Sequence, residues 1–252
     1  MARPAPSEVT LVTGASSGIG RALAISLASR GDRVIVLARR AALLETLVEE
    51  ITVAGGQARA VVADVTDRET LAAALAEATA HTGAITRLVA NAGGGSRTDM
   101  TAYDAATIAD ILRLNVEGVV NSVGCVLAPM QAAGRGHIVV MGSLAATRGL
   151  PNAAAYSAAK AGVARFTESL AIDLAETGID VTLLEPGFVT KPGKRVKWPR
   201  MAMTQAVERM SRAIVRRIPY WRGPSSLVFA AGILRLLPSR AYIRIMAGRG
   251  RR

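Results

Sequence analysis

The stretch Thr13-Gly14-Ala15-Ser16-Ser17-Gly18-Ile19-Gly20 overlaps the end of a β-rich run, Val9 to Thr13, and opens into a helical pattern with Leu23 and Leu27 on one face. Glycines at such a junction let the chain turn tightly and let a pyrophosphate approach the backbone. The first N–H groups of the helix and its positive dipole end then face the anion. Strand, glycine turn and helix in this order predict a dinucleotide-phosphate cradle formed by Gly14, Ser16, Ser17, Gly18, Ile19 and Gly20.

About twenty residues farther on, such a site reads the adenosine ribose, with an acid for a free 2′-hydroxyl or an arginine for a 2′-phosphate. Here the second strand ends Leu37-Ala38-Arg39-Arg40, with no acid in place. A guanidinium matches a phosphate through two charge-assisted bonds, so Arg39 and Arg40 predict NADP(H) as the cofactor.

Outward from this point the chain alternates short apolar runs with longer helical ones. Runs at Val34 to Leu37, Ala60 to Ala63, Leu88 to Ala90, Ile138 to Met141 and Val181 to Leu184 read as strands; Ile19 to Ser29, Ala41 to Ala54, Arg68 to Ala80 and Ala155 to Thr177 read as helices. The alternation predicts an α/β fold, a Rossmann-type doubly wound parallel sheet with helices on both faces. The 252 residues fit one domain. After Pro186 the pattern is broken by Pro199, Pro219 and Pro224, and residues 188–223 read as a substrate lid inserted in that domain, followed by a basic segment, 224–252.

Tyr156 and Lys160 stand at i and i+4 in a helical segment, so their side chains share a face. Ser143 follows the Ile138 to Met141 strand, at the end where open α/β sheets bind ligands. A phenol is a poor base near neutrality, and lowering its pKa by about three units takes about 4 kcal/mol of selective support for the phenolate. An ammonium and an oxidised nicotinamide would supply it. Neither His81 nor His137 is required, and neither has a metal-ligand spacing with Cys125, so no metal is expected.

Taken together, Thr13 to Gly20, Asn91-Ala92-Gly93, Ser143, Tyr156-Ser-Ala-Ala-Lys160 and Pro186-Gly187 with Thr190 resemble the classical short-chain dehydrogenase/reductase family over roughly Val9 to Thr190. The resemblance implies that Ser143 bonds the substrate oxygen, Tyr156 exchanges its proton, and Lys160 holds the nicotinamide ribose and lowers the Tyr156 pKa. It implies that Asn115 anchors a water in the proton relay, that Asp64 and Val65 meet the adenine edge, and that Asn91, Ala92 and Gly93 support the ribose. It places Pro186, Gly187, Val189 and Thr190 beside the carboxamide, and makes a homodimer or homotetramer the default. Two departures stand out: Ala90 replaces an Asn common in the family, and the chain lacks the Asp-Gly-Gly ending of its acyl-carrier-protein reductases. The expected activity is interconversion of a secondary alcohol and a bulky, apolar ketone. The competing class is a dinucleotide-binding regulatory protein without catalysis.

Charge is unevenly spread. Residues 1–190 carry 15 Lys+Arg against 18 Asp+Glu, whereas residues 191–252 carry 16 against the single Glu208. In the lid, Lys191, Lys194, Arg195, Lys197 and Arg200 mix with Trp198, Met201, Met203, Tyr220 and Trp221. This suits a bulky apolar or anionic substrate equally with ordinary packing beneath a solvated face. Leu227, Val228, Ala231, Leu234 and Leu237 recur near helical spacing among arginines, as in a helix on an anionic membrane surface or in a subunit-packing helix. The ten uncharged residues Ser225 to Leu234 are half the roughly twenty needed to span a bilayer. No nucleic-acid reader motif accompanies the cations, and nucleic acid is not expected as a partner. The lone Cys125, and an opening with Pro4 and Pro6 and no apolar stretch, lead to the expectation of a cytoplasmic protein, with peripheral contact to the inner face of a membrane as an extension.

Overall fold

The computed structural model describes residues 8–95, 97–190, 193–196 and 198–247; Lys191, Lys197 and the arginines at 249, 251 and 252 lie outside them. Five βα units open the chain: β1 (Val9–Thr13) with α1 (Gly18–Ala28), β2 (Arg33–Ala38) with α2 (Ala41–Val53), and β3 (Gln57–Val62) with α3 (Arg68–Thr82). β4 (Arg87–Ala90) precedes α4 (Ala105–Leu112) and α5 (Gly118–Ala133), which are joined through a π-helical turn, and β5 (Gly136–Met141) precedes α6 (Ala154–Asp173). Then come β6 (Ile179–Pro186), the short pair β7 (Val189–Thr190) and β8 (Met201–Ala202), α7 (Met203–Val215), β9 (Tyr220–Gly223), α8 (Ser225–Leu236) and α9 (Ser239–Ala247).

Seven strands form one parallel sheet in the order β3-β2-β1-β4-β5-β6-β9. Both faces are covered, which is why β1, β4 and β5 are buried along their whole length and read as continuous apolar runs. One face packs Leu71, Leu75, Val119, Val123, Met130 and Val163 of α3, α5 and α6; the other packs Leu23, Leu27, Leu44, Leu47, Met210 and Ile214 of α1, α2 and α7. Strand order reverses at β1, so a crevice opens between the carboxyl ends of β1 and β4. The continuous helical run Ala105–Ala133 is long and apolar enough to cross a membrane, but 44% of its most apolar window is buried. It is a core helix of the sandwich.

The lid reading of 188–223 needs correction. α7 buries Ala206, Val207, Met210, Ser211, Ala213 and Ile214 against α1 and the sheet, and β9 is the sheet's seventh strand. Burying Val207, Met210 and Ile214 contributes about 1.5–3 kcal/mol each, enough to make this stretch structural. The prolines that break the sequence pattern flank these elements: Pro199 precedes β8, and Pro219 and Pro224 bracket β9. Among the described residues of this stretch, Phe188, residues 193–196 and residues 198–200 belong to neither the sheet nor its helices. There Phe188 and Trp198 are exposed, whereas Met201 is buried and Met203 and Trp221 pack against the core.

At the opposite end of the sheet from the crevice lies a buried polar network. Arg87, only 4% exposed, donates to Asp32 at 2.6 Å, Glu8 at 3.2 Å and Nδ1 of His137 at 3.3 Å. Because Nδ1 accepts, the proton of His137 sits on Nε2, facing the Thr182 hydroxyl at 2.9 Å. Burial, reinforced by the charges of Arg87 and Arg217, depresses the His137 pKa to about 3, so the ring is neutral and structural. Burial likewise pushes the Asp32 carboxyl above its ordinary range, against the opposing pull of Arg87.

Candidate active site

The glycine stretch read as a phosphate cradle forms the β1–α1 turn. Gly14 has φ +65°, and a Cβ there would fall 2.7 Å from Cα of Ala92; Gly18 has φ +59° with open space around it. The turn therefore needs glycine at position 14 for fit and at position 18 for conformation. Thr13 ties this turn to the next: its hydroxyl accepts from the backbone N–H groups of Asn91 (3.1 Å) and Ala92 (3.0 Å), while the Asn91 amide donates back to the Thr13 carbonyl at 3.0 Å. Ser16 and Gly20 are buried, Ser17 is exposed at the start of α1, and Ile19 packs toward the α1–α2 core.

At the end of β2 the two arginines diverge. Arg40 donates to the hydroxyls of Ser16 (2.8 Å) and Ser17 (3.0 Å), and so lies across the cradle. Arg39 stays largely in solvent and pairs with Asp64 at 3.3 Å. Partial burial of Asp64 is outweighed by the backbone and hydroxyl of Thr66 and by Arg39, which hold its carboxyl below the ordinary range. Val65 is buried, its carbonyl accepting from the Asn121 amide at 3.0 Å. Asp64 and Val65 thus lie beside Arg39, at the carboxyl side of β3.

Ser143 leaves β5 in an extended conformation and caps a 3₁₀ turn, Leu144–Ala146, by accepting from the Ala145 N–H at 3.1 Å. Its hydroxyl donates to the Pro186 carbonyl at 3.5 Å and faces the Tyr156 phenol. Tyr156 and Lys160 project from the first turns of α6 toward Ser143, with the Lys160 Nζ 5.8 Å from the Tyr156 ring centroid and donating to the Met141 carbonyl at 2.8 Å. The helix start has no capping side chain of its own; the Thr98 hydroxyl, from the loop after β4, accepts from the Ala154 N–H at 2.9 Å. Burial raises the Tyr156 phenol above its ordinary value, and the Ser143 hydroxyl draws it partly back. Burial lowers Lys160 from 10.5 to about 8.

Asn115 sits, fully buried, in the π-helical turn Arg113–Glu117, the backbone irregularity between α4 and α5. Its amide brackets Gly94, accepting from the N–H at 3.2 Å and donating to the carbonyl at 2.6 Å, and donates also to Ile111 at 2.9 Å. A Cβ at Gly93 would lie 2.7 Å from Oδ1 of Asn115 and 3.3 Å from Nζ of Lys160, so the two side chains converge on this glycine turn. Across the crevice, Pro186 ends β6, Gly187 donates to Gly223, and Val189 and Thr190 form β7 against β8.

The candidate residues lie at the carboxyl ends of β1 to β6 and in the turns that follow them, with Asn115, Tyr156 and Lys160 on the helical segments after β4 and β5. The arrangement adds four that sequence reasoning did not single out: Gly94 and Gly95, Met141 through its carbonyl, and Thr98. Gly95 is required because a Cβ there would lie 2.9 Å from the Tyr156 ring. Only the run Gly93-Gly94-Gly95 carried a signal for it. The residues fit a nicotinamide dinucleotide: the cradle has glycines where side chains would collide, Arg40 overhangs it, and the Thr190 hydroxyl is buried without a hydrogen-bond partner among the described residues. Among them no group of His, Cys, Asp or Glu could hold a metal.

A charged lysine buried to 3% exposure weakens the fold, which yields a test of this geometry. At pH 7 the folded protein carries Lys160 charged, below its folded pKa of about 8. Lys160→Met is therefore expected to stabilise the cofactor-free protein by up to about 3 kcal/mol at pH 7. Between pH 8 and 10.5 the unfolded chain binds more protons than the folded one, so the parent gains stability with pH and the difference closes. Thermal melts of both proteins across that range check it; a gap independent of pH would refute it.

The family described as short chain dehydrogenase matches residues 8–201. An uncharacterised oxidoreductase of Myxococcus xanthus is 38% identical over 239 residues, covering 93% of this chain and 94% of its own. The cis-4-hydroxycyclohexanecarboxylate dehydrogenase of Sinomonas cyclohexanicum is 38% identical over 188 residues, 73% of this chain and 74% of its own. Among solved structures, a variant of actinorhodin polyketide ketoreductase with NADPH is 32% identical at a TM-score of 0.77, over 85% of this chain and 92% of its own. NAD+-bound xylitol dehydrogenase is 33% identical at a TM-score of 0.70, over 73% and 71%. The fold and site define an oxidoreductase that acts on alcohol or ketone groups. The chain belongs to the short-chain dehydrogenase/reductase family.

Proposed function

We propose that the protein is an NADP(H)-dependent reductase of a bulky, apolar ketone, with the secondary alcohol as product. The observation that carries this reading is the convergence of Ser143, Tyr156 and buried Lys160 at the same sheet edge as the glycine cradle. NADP(H), when bound in the cradle, supplies or accepts the hydride. Ser143 donates to the substrate oxygen, Tyr156 gives its phenolic proton to that oxygen, and the Lys160 ammonium supports the resulting phenolate. Burial keeps the phenol protonated at neutral pH, the form that gives its proton to a carbonyl oxygen. Asn115, fixed on Gly94, holds the turn against which Lys160 is set.

Two arginines and no acid at the end of β2 support NADP(H) over NAD(H), since Arg40 is already held over the cradle by Ser16 and Ser17. The exposed Phe188 and Trp198 beside Arg200 support an apolar substrate, anionic members included. The alicyclic hydroxy acid named for the Sinomonas relative is of that chemical kind. A homodimer or homotetramer in the cytoplasm completes the reading, supported by exposed Leu112 and Val120 on α4 and α5.

The test is oxidation of NADPH, with NADH in parallel, across ketones graded by size, apolarity and negative charge. Turnover rising toward large members with NADPH supports the reading; tight cofactor binding without turnover on any member favours the regulatory protein. Arg39→Asp is expected to lower the NADPH-to-NADH affinity ratio roughly tenfold, the size of one lost charge-assisted bond. Calorimetric titration of both cofactors measures it, and an unchanged ratio removes Arg39 as the reader.

A further inference from the structure

α8 has two apolar faces, one of them against β9 and the Leu144–Ala146 turn. Leu227, Val228, Ala231, Leu234 and Leu237 are half-buried against the body, with Leu227 reaching to Gly187 and β9. Phe229, Ile233 and Leu236, at i, i+4 and i+7, fall within about 60° on the other side. They are 72%, 50% and 85% exposed. Ile243 and Ile245 of α9 are exposed as well. Interspersed are Arg235, Arg240 and Arg244, all exposed and with no acidic partner among the described residues. Residues 225–252 contain six arginines and no acid.

We propose that the outer face of α8 and α9 docks on an anionic lipid bilayer. The charge pattern selects that occupant. A second copy of the chain, paired face to face, would set these arginines against their own image, which is repulsive. A bilayer accepts large apolar side chains between acyl chains and offers phosphates to the flanking guanidinium groups. Twelve and nine residues give helices about 18 and 14 Å long, too short for a hydrocarbon core of about 30 Å and suited to lying along its surface.

The same two helices are latched to the catalytic edge. Arg148 donates to the carbonyls of Leu234, Arg235 and Leu237, closing the carboxyl end of α8, and stacks 4.2 Å above the Tyr242 ring. Tyr242 in turn donates to the Gly149 carbonyl at 2.5 Å. Ser143 starts the segment that Arg148 and Gly149 complete. A docked protein would therefore hold its substrate entrance near the lipid, where apolar ketones partition.

Co-sedimentation of the full chain with phosphatidylcholine vesicles, with and without phosphatidylglycerol, tests the proposal independently of any turnover. Binding is expected with phosphatidylglycerol only, at least tenfold tighter, and weakened by salt. Arg235→Gln, Arg240→Gln and Arg244→Gln together should weaken it by roughly fivefold per arginine. Phe229→Ser, Ile233→Ser and Leu236→Ser together should abolish it while leaving soluble NADPH oxidation in place, because Phe229 and Leu236 lie mostly in solvent and Ile233 is half exposed. Equal binding to both vesicle types, no binding to either, or parental binding by the serine variant overturns it. So does conversion of an oligomer to a monomer by the serine variant with vesicle binding unchanged, which would make the face a subunit contact. Failure of the ketone panel alone would leave the docking result standing.

Discussion

Tyr156→Phe is expected to lower kcat for ketone reduction by roughly 10²–10⁴-fold, the usual worth of a positioned general acid. Phenylalanine preserves the ring that packs on Gly95 and removes only the oxygen that faces Ser143. NADPH affinity and the melting temperature should therefore stay near those of the parent. That combination separates a lost proton donor from a damaged site. Single-turnover kinetics on the variant, beside calorimetric titration of NADPH, read the two effects apart. A variant that reduces its ketone at the parental rate would falsify the mechanism, and the fold would then serve binding alone.

The second large effect lies at the far end of the sheet. Arg87→Met is expected to destabilise the protein by about 3–5 kcal/mol, as when one partner is removed from a buried charge pair. Methionine fills much of the same volume but leaves Asp32, 8% exposed, with only the Thr10 hydroxyl at 2.7 Å. Glu8 keeps Arg217 at 2.9 Å, so the stranded charge is chiefly Asp32. Its pKa, already raised by burial, rises further once Arg87 is gone. A raised carboxylate binds protons in the folded state that the unfolded chain has released, so stability falls as pH climbs above the ordinary carboxylate range. The deficit should be larger at pH 7 than at pH 5. Urea unfolding at both values measures it, while kcat per folded molecule should not change, because the network is a sheet's length from Tyr156. A deficit under about 1 kcal/mol would show that the pair contributes nothing beyond a solvated one.

β1, β2, β4, β5 and β6 were legible because burial on both faces makes each a largely apolar run, and the helices between them end at Gly, Asp or Pro; β3, mostly half-buried, showed only from Ala60 on. β1 matches its expected span, Val9 to Thr13, residue for residue. β9 was hidden because Tyr220-Trp-Arg-Gly is short, sits at the sheet edge and is bracketed by prolines, each a breaker in sequence but here only a boundary. α7 was hidden by the same logic: the surrounding cations outweigh its buried side in composition. In the site, Tyr156 and Lys160 follow from spacing along one helix. Thr98, Gly95 and the Met141 carbonyl could not, since their roles arise from contacts between segments far apart in the chain. Arg40 was legible as a cation, but its hold on Ser16 and Ser17 depends on the packing of two βα turns.

The place of β9 at one end of the sheet sets an order for synthesis. β6 offers eight residues, five of them apolar, and its outer edge from Leu183 to Pro186 is paired by Tyr220 to Gly223. Until the ribosome has delivered that stretch, a nascent chain that has already formed the other six strands displays an open apolar edge, the template on which strands of other molecules add. A message truncated anywhere between codons 187 and 219 thus encodes a complete catalytic trio on an unprotected sheet, and such products should precipitate in the cell when the full chain does not.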